Sequence, residues 1–420
     1  MADEIVGRGA ELAAVEPFLD RAATDLAVLV LEGEAGIGKS TVWSAAAELA
    51  GTRGCHVLTS RPARSEQGLT LGGLIDLLGG LDDGSFAGLP APQREALQVA
   101  LLRLEPSGPS PDQRTLSVAV AGLLRQLATP ERALVLAIDD LQWLDDGSAA
   151  ILAYAIRRLP GHPVGLLAAT RTGAETTASE TVLEAAPVER TDRVRLGPLH
   201  LASLHRLFEL RLGRSFPRLV LVRIEEASGG NPLYALELGR ALLASGIPAD
   251  PHEPLPVPDT LGSLIARRVS ALPARTRRAM VLLACSVAPT VASLEAATPG
   301  SAASLAPAVG DGLVSIDGDA VRFAHPLFAQ GVMTVAGDGE VRAAHAALAA
   351  ATASPDARAR HLAQASNGPD ERVARAVADA AAAARLRGAT LDAASLYQEA
   401  ARLTPTDDAD AALRRSQLAA

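Results

Sequence analysis

Aromatic residues are scarce in this chain of 420 residues, where Phe, Trp and Tyr together account for 3% of the sequence. Hydrophobic residues of all kinds nevertheless account for 48%, which is enough to build the cores of a globular protein. Those cores must consist mainly of Ala, Leu and Val. Side chains of this size favour closely packed helices over sheets rich in aromatic residues. The length predicts about two to four domains.

Cysteine is almost absent, and positive charge is in deficit. Cys55 and Cys285 are the only two cysteines, and their distance along the chain excludes a metal or redox spacing and indicates a reduced cytosolic protein. The net charge of −9 and the pI of about 5.5 argue against binding of nucleic acid by this chain alone. No apolar run reaches membrane-spanning length, and Met1–Glu4 is acidic where a secretory signal is basic. We therefore expect a cytoplasmic protein with no membrane partner.

Lysine is the rarest residue of all, because Lys39 is the only lysine in the chain. All the other residues in the combined count of lysine and arginine are arginines. It lies in Gly33-Glu34-Ala35-Gly36-Ile37-Gly38-Lys39-Ser40, which matches the phosphate-binding loop pattern G-x-x-x-x-G-K-[ST]. An ammonium is a compact charge that fits between phosphate oxygens, whereas a guanidinium is a wide planar fork. The motif predicts binding of a nucleoside triphosphate, and Thr41 could add a contact to the α-phosphate. The predicted nucleotide-binding residues of this segment are Gly33, Glu34, Ala35, Gly36, Ile37, Gly38, Lys39, Ser40 and Thr41.

The surroundings of the loop predict a P-loop NTPase fold. Up to about residue 195, short β-rich apolar runs alternate with helical stretches, as in a parallel sheet with helices on both faces. Leu26–Glu32 is predicted to be the strand before the loop, Ser40–Ala50 the helix after it, ended by Gly51, and Arg193–Leu199 the last strand. In this order the backbone N–H groups and the helix dipole point at the phosphates.

A second apolar run, Leu134–Ile138, ends in the two carboxylates of Asp139 and Asp140. In a phosphate-loop enzyme the acid at the tip of this strand holds Mg²⁺. We therefore predict Asp139 and the Ser40 hydroxyl as metal ligands. Asp140 is either a base that orients the attacking water or a residue that contacts the metal ligands without binding the metal itself. The alternative for both residues is a strand that simply ends in turn-forming aspartates.

A third apolar run, Val164–Thr170, is followed directly by Arg171. Ligands of open α/β sheets bind beyond the carboxyl ends of the strands. Arg171 is therefore predicted to sense a γ-phosphate, and the predicted catalytic set is Lys39, Asp139, Asp140 and Arg171. The alternative is an ordinary surface arginine.

The rest of the chain is predicted to be mainly helical. Gly229-Gly230 should end one helix and Pro232 should start the next, and a Pro-rich linker follows at Pro248–Pro258. Two alternating runs around Asp317-Gly318-Asp319 predict a hairpin, and helices before such a hairpin suggest a winged-helix domain. His325 closes this part, and an isolated histidine is usually structural.

The last part of the chain resembles the start of a helical repeat array. Ala382–Pro405 is similar to one tetratricopeptide repeat, and Ala420 lies within what reads as a further helix, so we expect a longer parent protein. The predicted domains are a nucleotide-binding domain, a helical lid with the Pro-rich linker, a winged-helix domain and the start of a tetratricopeptide-like solenoid. Their predicted limits are 1–198, 199–256, 257–338 and 339–420.

Several motifs occur in an order typical of one protein family. They are Val6-Gly7-Arg8 with Glu11-Leu12, the phosphate-binding loop, Asp139-Asp140-Leu141-Gln142-Trp143-Leu144-Asp145, Arg171, Gly229-Gly230-Asn231-Pro232 and His325-Pro326-Leu327. The series resembles the signal-transduction ATPases with numerous domains, specifically the large ATP-binding regulators of the LuxR family. The resemblance covers essentially the whole chain, and only the phosphate-binding loop is specific by itself.

The resemblance implies a signalling switch that clamps ADP at rest and opens with ATP and an inducer, which is a ligand or a protein of unknown identity. It implies nucleotide-dependent homo-oligomers, Mg²⁺ as a cofactor and slow ATP hydrolysis that serves switching. It also implies that Arg8 lies by the adenine and ribose, that Pro232 packs on the base, and that His325 reaches the ADP β-phosphate. DNA binding is implied only through a C-terminal domain that this chain lacks.

Other functions stay open at this point. One alternative is a conventional ATP-driven enzyme or motor, although the sequence shows no second cluster of catalytic residues. Another is the same switch serving a different effector, such as a cyclase. A passive helical scaffold with a degenerate nucleotide fold is the third, and an intact set of Lys39, Ser40 and Asp139 argues against it.

Overall fold

A five-stranded parallel sheet organises the first half of the chain. The computed structural model describes residues 5–64, 71–105, 112–173, 176–245, 261–287, 289–388 and 390–405. The strands are β1 (Ala27–Gly33), β2 (His56–Ser60), β3 (Leu134–Ile138), β4 (Val164–Arg171) and β5 (Thr191–Arg195). Their order across the sheet is β2-β3-β4-β1-β5. Strands β1, β3 and β4 are buried on both faces, as expected where helices cover a parallel sheet.

Helices lie on both faces of this sheet, as predicted. They are α1 (Gly9–Ala13), α2 (Val15–Ala22), α3 (Lys39–Thr52), α4 (Gly72–Leu78), α5 (Ala91–Ala100), α6 (Gln113–Leu127), α7 (Asp146–Ile156) and α8 (Thr177–Leu183). Alternate residues of β1 belong to separate cores, Val28 and Val30 to one and Leu29 and Leu31 to the other. Short 3₁₀ turns occur at Asp83–Phe86, Leu141–Trp143 and Val188–Arg190. The parallel sheet of a P-loop NTPase-like fold is therefore confirmed.

Several predicted element limits are wrong, including those of β1, which is Ala27–Gly33 and not Leu26–Glu32. Helix α3 was predicted to end before Gly51, but it continues to Thr52. It ends where Gly54 takes a left-handed φ of +84° and the Cys55 N–H bonds to the Ala50 carbonyl. The last strand is Thr191–Arg195 and not Arg193–Leu199, because its pairing with β1 stops at Arg195 and Gly197-Pro198 lead the chain away.

Three helices follow the sheet: α9 (Leu201–Leu212), α10 (Arg218–Ser228) and α11 (Pro232–Ser245). Gly229 and Gly230 both have positive φ and separate α10 from α11, as predicted. Gly230 is required there, because a Cβ would come within 2.7 Å of the Leu199 carbonyl oxygen. The Pro-rich linker predicted at Pro248–Pro258 lies outside the described residues.

The next part combines helices with a hairpin. Its helices are α12 (Leu261–Ala271), α13 (Ala274–Cys285), α14 (Val291–Ala297), α15 (Ser301–Ser304), α16 (Ala306–Gly310) and α17 (Pro326–Val335). Strands β6 (Val314–Asp317) and β7 (Ala320–Phe323) pair antiparallel before α17. The predicted hairpin is confirmed, with Gly318 at a φ of +59° in its turn. Helices and hairpin share one core around Met280, Val321 and Phe328.

The last described helices are α18 (Asp338–Ala351), α19 (Pro355–Ala365), α20 (Glu371–Leu386) and α21 (Thr390–Leu403). The Asp370 N–H bonds to the Leu403 carbonyl at 2.8 Å, so the start of α20 lies beside the end of α21. The segment predicted as one repeat starts inside α20, and residues 406–420 lie outside the described part. His345 and His361 join α18 to α19 through a contact of 3.0 Å between their Nδ1 atoms. No helix within the described ranges is long and apolar enough to cross a membrane.

Candidate nucleotide-binding site

The phosphate-binding loop joins the end of β1 to the start of α3. Gly36 and Gly38 have φ angles of +82° and +104°, a conformation that favours glycine, and Gly38 caps the helix. The Lys39 ammonium donates to the carbonyls of Gly33 at 3.0 Å and Glu34 at 2.8 Å. Burial lowers the pKa of Lys39 to about 8, while nearby carboxylates oppose this shift. A loop of this shape presents backbone N–H groups and one ammonium to an anion.

Ser40 and Asp139 come together, as the sequence predicted for a metal site. The Ser40 hydroxyl lies close enough to the Asp139 carboxylate to lower its pKa, and Asp139 is 6% exposed. Burial first, and then the neighbouring Asp140, raise the pKa of Asp139 to about 6. A hydroxyl beside a carboxylate fits Mg²⁺, which is usually held by few protein oxygens together with water and phosphate. Among the described residues, no group of three or more His, Cys, Asp or Glu could hold a metal by itself.

Asp140 and Arg171 also lie close together. The Arg171 Nε is 3.7 Å from the Asp140 Oδ1, and the guanidinium lies 5.6 Å from the centre of the Trp143 ring. Asp140 has a left-handed φ of +47°, and its N–H donates to the Asp139 carboxylate at 3.0 Å. The positive charge of Arg171 and the negative charge of Asp140 both act on Lys39. The structure therefore assembles Lys39, Asp139, Asp140 and Arg171 around one loop.

Two residues at this edge of the sheet were not predicted to have a role. Gln142 is fully buried and bridges the ends of β3 and β4. Arg61 follows β2, donates to the Ser44 hydroxyl at 2.8 Å and lies 4.7 Å from the centre of the Trp43 ring. Its charge lowers the pKa of Asp139 and so opposes the effect of burial. The only sequence signal for Arg61 was its position directly after a strand.

Arg8 braces the loop from outside. Its guanidinium donates to the carbonyls of Ile37 at 2.6 Å and Gly197 at 2.8 Å, and to the Glu11 carboxylate at 2.8 Å. The residue is 4% exposed. These bonds tie the N-terminal segment to the loop and to the end of the sheet. Thr41, by contrast, is exposed in the first turn of α3.

Helix α11 starts directly against the loop. The Asn231 side-chain amide donates to the Ala35 carbonyl at 2.9 Å, and the Leu233 N–H donates to the Gly36 carbonyl at 3.3 Å. Pro232 lies between these two contacts as the first residue of α11. A Cβ on Gly36 would be 2.9 Å from the Asn231 Oδ1, so the loop and the helix fit closely.

His325 lies directly before α17, in the region after the hairpin. The positive charges of Arg171 and Lys39 act on it, and together with the dominant effect of burial they lower its pKa to about 3. Its Nδ1 accepts the Leu327 N–H at 3.1 Å. A neutral imidazole that accepts at Nδ1 carries its proton on Nε2. His325 is therefore a neutral N–H donor on which the charges of two cations act, which suits contact with a phosphate.

A buried ion-pair network connects α11 to the region of the hairpin. Glu237 is 2% exposed and accepts from Arg268 of α12 at 2.6 and 2.7 Å, and from Arg240 at 2.7 Å. Arg268 also donates to the carbonyl of Asp311 and lies 5.9 Å from the centre of the Phe328 ring. The network thus joins α11, which begins directly after Asn231, to α12, and Arg268 of α12 lies near the Phe328 ring of the helix that follows His325.

One family model matches the part of the chain that contains the loop. Residues 4–168 match the AAA ATPase domain family. The matched residues include the loop, Ser40, Asp139 and Asp140, and Arg171 lies just beyond the match. No curated protein matches the chain.

Solved structures resemble the chain over a greater length than the AAA domain. A signal-transduction ATPase with a tetratricopeptide repeat sensor from Pyrococcus horikoshii has 15% identity and a TM-score of 0.50, with 99% of this chain and 63% of that chain covered. A Walker-type ATPase of Pyrococcus abyssi has 13% identity, a TM-score of 0.39, and coverage of 79% and 96%. Cdc6p of Pyrobaculum aerophilum has 12% identity, a TM-score of 0.39, and coverage of 80% and 95%. At these identities the likeness to the first structure shows the fold alone, and this chain spans less than two thirds of that protein.

Proposed function

We propose that this chain is the nucleotide-dependent switch of a signal-transduction ATPase with numerous domains, of the large ATP-binding LuxR type. In the proposed resting state, ADP is held between the AAA domain, a helical lid at 199–256 and a winged-helix domain at 257–338. ATP and an inducer open this state, and the opened molecules assemble. Residues 339–420 are proposed as the start of a tetratricopeptide-like array that responds to the inducer.

One observation carries the proposal: the start of α11 contacts the loop of the AAA domain, and the charge of Lys39 in that loop acts on His325. Asn231 comes from the proposed lid and donates to the Ala35 carbonyl of the loop, whereas His325 comes from the proposed winged helix. A bound nucleotide would then touch all three parts. Nucleotide can shift an equilibrium between two arrangements only if it binds them with different affinity. Contacts made only in the closed arrangement provide such a difference.

Each residue of the site has a proposed role. Lys39 binds the β- and γ-phosphates, and Ser40 and Asp139 would hold Mg²⁺, which neutralises phosphate charge when bound. Asp140 orients the attacking water, and Arg171 responds to the γ-phosphate. His325 donates its Nε2–H to the β-phosphate of ADP. We further propose that Arg8, whose guanidinium bonds to the Ile37 carbonyl, lies by the adenine and ribose, and that Pro232 packs on the base.

The nucleotide content of the purified protein tests the proposal. We expect denaturation to release close to one ADP per chain, and Lys39→Ala to abolish binding. Arg375→Ala is a matched control, because that side chain is 74% exposed and lies in α20. Tight binding by Lys39→Ala would contradict the site. A nucleotide-free protein with turnover near one per second would favour a conventional ATP-driven enzyme or motor.

A further inference from the structure

The side chain of Gln142 is buried at the point where β3 and β4 end. Gln142 lies in the 3₁₀ turn Leu141–Trp143, directly after the two carboxylates, and its residue exposure is 0%. A fully buried carboxamide loses its hydrogen bonds to water and must find partners in the protein. The partners that it has found belong to the two strand ends that carry Asp140 and Arg171.

The carboxamide bonds in opposite senses to the two strands. Its Nε2 donates to the Asp140 Oδ1 at 2.7 Å. Its Oε1 accepts the Arg171 N–H at 3.2 Å and the Thr170 hydroxyl at 3.4 Å. The Gln142 carbonyl further accepts the Thr176 hydroxyl at 3.4 Å. Because the Arg171 N–H can only donate, the oxygen must face β4 and the nitrogen must face Asp140.

This pair of bonds explains why the position holds glutamine. A glutamate would keep an acceptor for the Arg171 N–H but would offer no donor to Asp140 when ionised. A methionine of similar size would satisfy neither partner. The carboxamide therefore fixes the position of the Asp140 carboxylate relative to the backbone of Arg171. The Arg171 Nε lies 3.7 Å from the Asp140 Oδ1.

Asp140 needs such a link because its backbone is in the left-handed region, with φ +47° and ψ +49°. A residue other than glycine adopts this conformation at an energetic cost that neighbouring contacts must offset. Two contacts act here: the Asp140 N–H bonds to Asp139, and the Asp140 carboxylate accepts from Gln142. The first orients the backbone, and the second orients the carboxylate.

We propose that Gln142 is a positioning residue for ATP hydrolysis, which holds Asp140 and Arg171 at a fixed spacing so that they act as one unit. The inference rests on the proposed function. In the hydrolytic step a water oxygen bonds to the γ-phosphorus, and the bond from that phosphorus to its bridging oxygen breaks with the electron pair leaving on ADP. Asp140 accepts the proton of the water. Gln142, which is fully buried, acts through Asp140 and the Arg171 backbone.

Two variants of Gln142 distinguish a role in positioning Asp140 from simple structural support. Gln142→Met keeps the volume but removes both bonds, and Gln142→Glu keeps the acceptor while removing the donor to Asp140. If Gln142 positions Asp140, kcat should fall by about 10- to 100-fold in both variants, while the affinity for ATP changes less than about threefold. A merely structural role would instead lower the melting temperature and the ATP affinity together, with kcat little changed.

A double-mutant cycle with Asp140→Asn completes the test. Once Asp140 cannot accept the proton, Gln142→Met should lower kcat by less than about twofold more, because the two residues act as a unit. Gln126→Met is the matched control, since the Gln126 amide donates to the Ser85 carbonyl on an exposed surface, and its kcat should equal that of the wild type.

Steady-state ATPase rates and ATP titration calorimetry give the readouts. A wild-type protein that hydrolyses ATP while both Gln142 variants keep its kcat overturns the positioning role alone. Multiplicative losses in the cycle with Asp140→Asn overturn it as well. A wild-type protein that neither binds nor hydrolyses ATP overturns the proposed function together with this inference. If Gln142→Met fails to fold, Gln142→Glu distinguishes the positioning role from the structural role, because it keeps the bond to the Arg171 N–H.

Discussion

The network around Glu237 predicts how firmly the proposed closed arrangement is held. Glu237→Gln keeps the shape of the side chain but removes the charge that faces Arg268 and Arg240. Removing one partner of a fully buried ion pair costs about 3–5 kcal/mol. Arg268 and Arg240 are 17% and 32% exposed, so water can solvate part of the charge that is left. We therefore expect a smaller effect of about 2 kcal/mol on the closed state.

A change of about 2 kcal/mol alters the ratio of closed to open molecules about thirtyfold. If α11 and α12 must separate for the nucleotide to leave, the dissociation of ADP should become faster by a similar factor. Displacement of a fluorescent ADP analogue in a stopped-flow instrument measures this rate directly. Glu399→Gln is the matched control, because the pair of Glu399 and Arg402 is exposed on α21 and exposed pairs contribute little.

An ADP dissociation rate within about twofold of the wild type in Glu237→Gln would show that the network does not restrain opening. A double variant of Glu237→Gln with Arg268→Gln provides a second check. If the two residues act through one ion pair, its rate should be no faster than that of the single variant.

Three further predictions concern other contacts. Mg²⁺ binding with nucleotide should weaken as the pH falls through about 6, because Asp139 must be ionised to bind the metal and burial raises its pKa to about 6. Mg²⁺ titrations at pH 5.5 and 7.5 should show the loss of Mg²⁺ affinity, and Asp139→Asn should remove its dependence on pH. Arg8→Ala should lower the melting temperature and weaken ATP binding, because it leaves the carbonyl of Ile37 in the loop without its charged donor; unchanged calorimetric affinity would contradict the bracing role. Burial lowers the pKa values of His345 and His361, that of His361 to about 4. The unfolded chain therefore binds more protons than the folded chain near pH 5, and the free energy of unfolding should fall by on the order of 1 kcal/mol on acidification from pH 7. Urea unfolding of His361→Gln should show a smaller fall over the same pH range than the wild type.

Local sequence signals predicted the parts of the site that depend on backbone chemistry. The loop needs glycine at Gly36 and Gly38 because both have positive φ, and Lys39 follows in a fixed pattern. Asp139 and Arg171 were found because each follows a strand, and carboxyl ends of parallel strands meet at one edge of a sheet. The hairpin at β6 and β7 was likewise encoded in neighbouring residues.

Contacts between distant segments could not be predicted in this way. Glu237 and Arg268 carry no pattern that pairs them, since one lies in an amphipathic helix and the other in a different helix 31 positions later. Gln142 stood inside a recognised motif, but its role depends on which atoms lie within reach after β3 and β4 are paired. His325 was linked to the site only through a family resemblance, because nothing in its neighbours indicates proximity to Lys39.

The scarcity of lysine gives this protein an unusual chemical handle. Apart from the α-amino group, the Lys39 side chain is the only primary amine in the chain. Burial lowers its pKa to about 8, so at mildly alkaline pH a large fraction is in the uncharged form that reacts with acylating reagents. Among amine side chains only Lys39 can then be acylated, and the acyl group would remove the charge that attracts phosphate. The acylated fraction of the peptide that contains Lys39 would therefore report the fraction of loops that were empty when the reagent was added.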